Sequence, residues 1–436
     1  MRFTDAHSTS STCTPSRYSL LTGQYAWRKK GTGILPGDAP LCIDVKQPTL
    51  PSILQHAGYA TGAVGKWHLG LGEGKIDWNG EIKPGPNEVG FDYSFIIPAT
   101  GDRVPCVFLE DRHVVGGDPS DPILVSYKFK VGNDPTGKEN PELLKMKPSQ
   151  GHDQTIVNGI SRIGWMSGGK FARWKDEEIA QVLTTHALGF IEKNKDKPFF
   201  LYFATHDIHV PRAPGSKFVG SSQCGVRGDV IQELDWTVGE VIATLDRLKL
   251  TDNTLAIFSS DNGPVVDDGY ADGSVIHLNG HKPAGPFKGG KYTIWEGGTR
   301  MPFIVSQPGR VKAGVSDAMI SQIDLPASFA ALTGQTVPAG AAPDSMNVLG
   351  ALLGDAKTAR TTLVEQSGIL ALRKGNWKLI QRRGGGAGKP GKVELYDLAA
   401  DVGETKNVSA EHADVVKEMT GLLDQEKAKG GYVGPG

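Results

Sequence analysis

One pattern recurs along the chain: an amphipathic helix, then a short and wholly apolar strand, then a polar cluster. Between Asp176 and Asn194, apolar residues fall at Ile179, Val182, Leu183, Ala187, Phe190 and Ile191, a spacing that predicts a helix. Lys197-Pro198 then opens the predicted strand Phe199 to Ala204. Ile231, Leu234, Val238, Val241, Ile242, Leu245 and Leu248 predict a second helix before a strand over Thr254 to Phe258. Thr49 to Ala57, with Pro51 in its first turn, predicts a short helix ahead of a strand over Tyr59 to Val64. Continuous apolar strands cannot face water on either side, so this alternation predicts an α/β fold. Its large, mostly parallel sheet is sandwiched by helices. The strands lead into Gly65-Lys66-Trp67-His68, Thr205-His206-Asp207-Ile208-His209 and Ser259-Ser260-Asp261-Asn262-Gly263-Pro264. Ligands of open α/β sheets bind beyond the carboxyl ends of the strands, so the three clusters are expected to share one crevice.

The texture changes near residue 340. Short strand-like runs follow at Ile369 to Leu372, Trp377 to Ile380 and Val393 to Tyr396. The glycine-rich stretch Arg382 to Gly391 separates the last two, and Ala413 to Lys429 reads as a final helix. A catalytic α/β domain over 1–340 and a C-terminal subdomain over 341–436, a smaller antiparallel sheet with a helix, are therefore expected. Residues 118–173 have weak periodicity and many turn formers, which predicts a long insertion near the site. The 57 glycines and 27 prolines in 436 residues point to many ordered loops, where sites usually sit. A net charge of -1 argues against nucleic-acid binding, and no apolar run is long enough for a membrane span. Cys13, Cys42, Cys106 and Cys224 lack disulfide or zinc spacing.

The densest local signal is Cys13-Thr14-Pro15-Ser16-Arg17, continued by Leu20-Leu21-Thr22-Gly23. A helix starting near Pro15 would put Arg17 on the face of Cys13. A thiol at a helix start beside a cation is activated, so a nucleophile and a buried structural cysteine are both open readings. Taken singly, Lys66, Lys288 and Lys291 read as surface lysines, His68 and His209 as structural histidines, and Asp-Asn-Gly-Pro as a turn. Gly285 to Lys291 has phosphate-loop spacing, but Tyr292 stands where the hydroxyl ligand belongs and no strand precedes it.

The full cysteine motif resembles that of the sulfatases, in which the cysteine is oxidised to formylglycine by a maturation enzyme. The remaining motifs are similar in order: Gly65 to Gly70, Ile97 to Arg103, His209-Val210-Pro211, Asp261 to Pro264, Gly290 to Gly298, and Glu394 to Asn407. The resemblance implies an alkaline-phosphatase-like fold and hydrolysis of an O-sulfate ester by a formylglycine hydrate at position 13. Arg17 and Lys66 are then expected to hold the hydrate and its oxyanion, and His68 to take the proton that lets sulfate leave. His209 and Lys291 are expected to bind sulfate and help protonate the departing alcohol. Asp261 and Asn262 are the implied calcium ligands, with magnesium as the other candidate. Thr100, Arg103, Asp267, Asp268, Tyr270 and His281 are the candidate substrate contacts.

Relatives of this type carry a strand ending in an Asp-Asp pair before the cysteine motif, and only twelve residues precede Cys13 here. A truncated or internally started chain with weakened metal binding and uncertain activity is the expectation from that difference. A sulfated carbohydrate, such as a 6-O-sulfated galactose or N-acetylhexosamine, is the expected substrate, with aryl sulfates as surrogates. Export to a periplasm or beyond is implied. Two alternatives stay open: a metal-dependent phosphatase or phosphonate hydrolase using His206, His209 and Asp261, and a non-catalytic sulfatase-like binding protein.

Overall fold

The computed structural model describes residues 1–382 and 391–431. All three predicted helix–strand pairs form. The helices run Leu50–His56, Ile179–Lys193 and Gly225–Arg247, and the strands they precede run Ala60–Lys66, Phe199–Ala204 and Ala256–Ser259. In the first helix Thr49 accepts from the Ser52 amide and the Ser52 hydroxyl accepts from the Thr49 amide, a reciprocal cap that fixes its start.

The strands divide between two sheets. One has the order Phe199–Ala204, Ala60–Lys66, Tyr93–Ile97, Leu109–Glu110, His113–Val114, with its first three strands parallel. The other has the order Ala256–Ser259, Phe303–Ser306, Arg2–Phe3, Val315–Ser316 and is mixed. Phe199–Ala204 and Ala256–Ser259 thus each end a sheet, where the alternation alone predicts one continuous sheet. Phe200 links the layers: its ring stacks on Phe91 at 6.3 Å and meets Phe329 edge-on at 6.4 Å. Parallel pairing puts the residues after Ala60–Lys66 and Phe199–Ala204 at one end, and Asp261, after Ala256–Ser259, reaches the same place, 3.6 Å from Lys66.

The C-terminal part is a four-stranded antiparallel meander over Thr362–Gln366, Leu370–Lys374, Trp377–Gln381 and Val393–Asp397. The helix Ala413–Ala428 buries Met419 and Leu423 against the face that carries Leu372, Leu379 and Leu395. Most of the glycine-rich separator, residues 383–390, lies outside the described residues.

The insertion is built from short ladders. Leu124–Ser126 pairs with Trp165–Ser167, and Ile156–Val157 with Ile160–Ser161. Bridges at Arg103↔Ile163 and Pro148↔Tyr270 tie it to the loops beyond the strand ends. Among the described residues no helix is long and apolar enough to cross a membrane.

Candidate active site

Cys13 begins the helix Cys13–Thr22 and is buried. Side chains pin this helix where a surface helix would be free: Thr14 donates to the His68 carbonyl at 2.9 Å and Ser16 to the Ser10 carbonyl at 2.9 Å. Arg17, one turn on, donates through Nε to Asp261 at 2.7 Å and through Nη1 to the Lys66 carbonyl at 2.7 Å and the Tyr202 hydroxyl at 3.1 Å. One guanidinium therefore joins the cysteine helix to the ends of all three strands. Lys66 Nζ stands 3.6 Å from the same Asp261 carboxylate.

The cations converge on position 13. Burial lowers the Arg17 guanidinium, but the charges of Tyr202, Asp261 and Cys13 outweigh it and hold its pKa above the ordinary arginine value. For Lys291, burial is likewise overcome by Cys13 and Asp268, and its pKa is raised. Arg103 is raised against burial by Asp102, Tyr127 and Cys13. Lys66 and Lys291 are only 4% and 7% exposed, which excludes the solvated-lysine reading. Lys288 is structural, donating to the Glu404 carbonyl and lying over the Trp295 ring.

His68 sits at φ 55° and its Nε2 lies 2.9 Å from the Leu35 carbonyl oxygen, so Nε2 carries the hydrogen. Nδ1 is buried with no partner. Burial, Lys66 and Arg103 hold His68 well below the ordinary histidine pKa, which leaves a neutral ring with a bare lone pair. His209 is neutral for a similar reason: burial and the cations Lys291 and Lys66 depress it. Its Nδ1 donates to the Val210 carbonyl, and its Nε2 accepts from Lys291 at 3.3 Å. On this side of the site the ionisable proton resides on the Lys291 ammonium rather than on His209. Lys291 also donates to Asp268 at 2.6 Å, and Tyr292 donates to the other oxygen of Asp268 at 2.7 Å.

Asp261 and Asn262 offer hard oxygens. Burial raises the Asp261 carboxyl, but Lys66, Arg17 and Lys291 win and keep it far below the usual carboxylate range. Asn262 Nδ2 donates to the Gly263 carbonyl, while Oδ1 is buried with no partner. An orphaned buried acceptor beside a permanent carboxylate is the chemistry a calcium or magnesium ion requires. The metal set of the phosphatase alternative, His206, His209 and Asp261, does not form a cluster of ligand atoms among the described residues. His206 is packed against Gly101, and burial pulls its pKa to about 4. The one cluster of three acidic or histidine ligands among the described residues is Asp5, His7 and Glu296. Arg300, Arg373 and Lys378 already neutralise it.

A cleft of about 480 Å³ opens beside Lys291 and is lined by Gln150, Gly151, His152, Gln154, Ile163, Asp268 and Tyr292. The insertion thus forms one wall. Thr100 accepts from Arg103 at 2.9 Å, and Asp102 lies between Arg103 at 3.1 Å and His152 at 3.0 Å. Asp268 lines the cleft. Asp267 instead binds the insertion, accepting from Ser149 at 2.6 Å. Tyr270 is corrected as a substrate contact: it is buried, and its hydroxyl donates to the Ser161 carbonyl at 2.7 Å. His281 is exposed and outside the cleft lining. Sequence reasoning missed Tyr202, Asp102, His152 and Tyr292. Asp102 and Tyr292, each inside a motif already singled out, carried a signal.

With His68 held neutral and Lys291 charged, a reaction that used the one to accept a proton and the other to give one is expected to keep kcat/KM level from neutral pH down past pH 6.5. An acid limb centred at or above 6.5, in a pH series on the free enzyme, would contradict the depressed His68.

Residues 1–335 match the family described as Sulfatase. The chain is 54% identical over 441 residues to an N-acetylgalactosamine-6-O-sulfatase of Bacteroides thetaiotaomicron, covering 98% of this chain and 86% of that protein. It is 29% identical over 450 residues to arylsulfatase A of Homo sapiens, covering 98% and 79%. A solved Bacteroides thetaiotaomicron structure, described under the metabolism of multiple glycosaminoglycans, superposes with a TM-score of 0.96 at 54% identity, covering 98% and 92%.

Proposed function

Since the chain belongs to the sulfatase family and is a sulfate ester hydrolase, we propose that it removes 6-O-sulfate from an N-acetylgalactosamine-type sugar, with residue 13 as the nucleophile. The observation that carries this reading is the convergence of Arg17, Arg103 and Lys291 on buried Cys13, with neutral His68 close by. The substrate sugar is taken from the relative of 54% identity, and the cleft beside Lys291 has the polar lining that a sugar needs.

Each residue has a physical task. Cys13 is the residue that a maturation enzyme would convert to formylglycine, whose hydrate would supply one hydroxyl for attack on sulfur and a second for release of sulfate. Asp261 and Asn262 would hold a calcium or magnesium ion, which supplies positive charge toward the sulfate oxygens. Arg17 and Lys66 hold the position-13 side chain and offset negative charge that grows there. His68 accepts a proton at Nδ1, the atom left bare by the Leu35 contact. Lys291, buttressed by His209 and Asp268, binds the ester sulfate and donates from Nζ to the leaving oxygen. Arg103, anchored on Thr100 and Asp102, and Asp268 meet the sugar. Export, as the family resemblance implies, would place the enzyme where extracellular glycans reach it.

Turnover of a panel of 2-, 4- and 6-O-sulfated galactose, N-acetylgalactosamine and N-acetylglucosamine tests the reading. The 6-O-sulfated N-acetylgalactosamine is expected to have the highest kcat/KM, by at least about tenfold over its gluco epimer. Preference for a 2- or 4-O-sulfate would sink the positional assignment.

A further inference from the structure

Away from the cysteine centre, the start of the helix Gly225–Arg247 holds a buried cation that the catalytic reading does not use. Arg227 is 3% exposed, and its Nε and Nη1 have no hydrogen-bond partner. It forms no ion pair among the described residues. A guanidinium cannot shed its charge at ordinary pH, so such burial demands an anion. The acid that acts on it, Asp272, and the acid two residues on in the helix, Asp229, are both committed. Asp272 accepts from Arg212 at 2.7 Å and from the Ser274 amide at 2.9 Å. Asp229 accepts from the Gly220 and Ser222 amides at 2.8 Å each.

A second buried guanidinium sharpens the imbalance. Arg212 is 2% exposed, spends Nη1 and Nη2 on Asp272, Ser274 and the carbonyls of Val265 and Val266, and leaves Nε without a partner. Burial and then Arg212 pull the Arg227 pKa down to about 10, with Asp272 and Cys224 opposing. The guanidinium therefore lies within electrostatic reach of Cys224, the residue that caps this helix. The cap makes no side-chain hydrogen bond, and the first turn has no acidic residue. The positive end of a 23-residue helix thus adds to two buried guanidiniums, while Asp272 is held by Arg212 and Asp229 by the Gly220 and Ser222 amides.

We infer that Arg227, Arg212 and the first turn of the Gly225 helix form a second anion site, which takes a small oxyanion, either sulfate or a carboxylate. The site is joined to the substrate cleft through Arg212, whose Nη groups hold the carbonyls of Val265 and Val266 on the loop between Asn262 and Asp268. Bound oxyanion would stiffen that loop without touching the reacting atoms.

Thermal unfolding of the full chain in sodium chloride, with sodium sulfate or sodium acetate added at constant ionic strength, tests the inference. A saturable rise in Tm is expected with at least one oxyanion, and which one identifies the source of the charge. Arg227→Met is expected to lose the saturable rise and to unfold at a higher temperature than the parent in chloride alone, because an unpaired buried charge has gone. Cys224→Asp, which supplies a carboxylate at the cap, is expected to be stabilised and equally insensitive. Lys291→Ala is expected to retain the response, which separates this site from sulfate bound at the catalytic centre. The absence of a saturable rise in the parent chain, or its persistence in Arg227→Met, would overturn the inference.

Discussion

A Cys13→Ala variant is expected to lose at least about four orders of magnitude in kcat, on the order of 5 kcal/mol of transition-state stabilisation, while KM for the same ester changes only a few-fold. The split follows from where the charges sit. Alanine deletes the attacking atom, but Arg17 keeps Asp261, the Lys66 carbonyl and Tyr202, and Lys291 keeps Asp268 and His209. The cations that the proposed function assigns to the ester are anchored independently of residue 13. Steady-state kinetics check this, and the variant should hold substrate without turning it over. Mass spectrometry of the peptide spanning Cys13 in active protein then distinguishes the chemistry, since an aldehyde is expected in place of the thiol. A fully active preparation carrying only unmodified thiol would exclude formylglycine, leaving the Cys13→Ala result in force.

The second large effect concerns stability. Lys378 is fully buried and stands 2.9 Å from Glu296, 3.0 Å from Glu365 and 3.6 Å from Glu404. Arg373 pairs with Glu296 at 2.9 Å and Asp5 at 3.2 Å, and His7 contacts Asp5 and Glu365. This network joins the first residues, the turn following Lys291, and the C-terminal sheet. Lys378→Met fills similar volume but takes the cation away from Glu404 and leaves Glu296 with Arg373 and Glu365 with His7 alone to offset their charge, so a loss of about 3–5 kcal/mol is expected in denaturant unfolding at neutral pH. Even with Lys378 in place, burial pushes the Glu404 carboxyl up to about 7 from 4.5. The folded chain thus binds a proton there that the unfolded chain has released. That contribution to stability is present at low pH and is lost as pH rises through about 7. In Lys378→Met the carboxylates that lost the lysine can take up protons, so the loss relative to the parent is expected to shrink as the pH is lowered from 7 toward 5. A loss that stays constant with pH would mean packing, rather than charge, sets the effect.

Much of this molecule was legible beforehand. The strand Phe199–Ala204 lies where its apolar run places it, and the helix of the cysteine motif begins at Cys13 itself. Periodicity reports local burial well because a residue's face is set by its neighbours three or four positions away. The motif residues Arg17, Lys66, His68, His209, Asp261, Asn262 and Lys291 also meet at one end of the sheets. Other features were not legible. Tyr270, an aromatic beside two aspartates, looks like a sugar contact, yet it packs on His152 with ring centroids 4.8 Å apart and bonds Ser161. His152 lies in a turn-rich insertion with weak periodicity, and long-range contacts such as the bridges Arg103↔Ile163 and Pro148↔Tyr270 and the Ser149–Asp267 hydrogen bond carry that insertion to the cleft.

By itself, then, the sequence determined the α/β class, the alternation of helices and strands, and the identity of the groups around position 13, because each is written in local spacing or in the chemistry of a side chain. Tertiary structure alone decided that the strands form two sheets, that the Lys291 ammonium rather than His209 holds the proton, and that Arg227 lies buried without an ion pair among the described residues. Those outcomes depend on which partners meet across tens to hundreds of residues and on how much water their meeting excludes. A carboxylate or an imidazole has no settled charge until that environment exists.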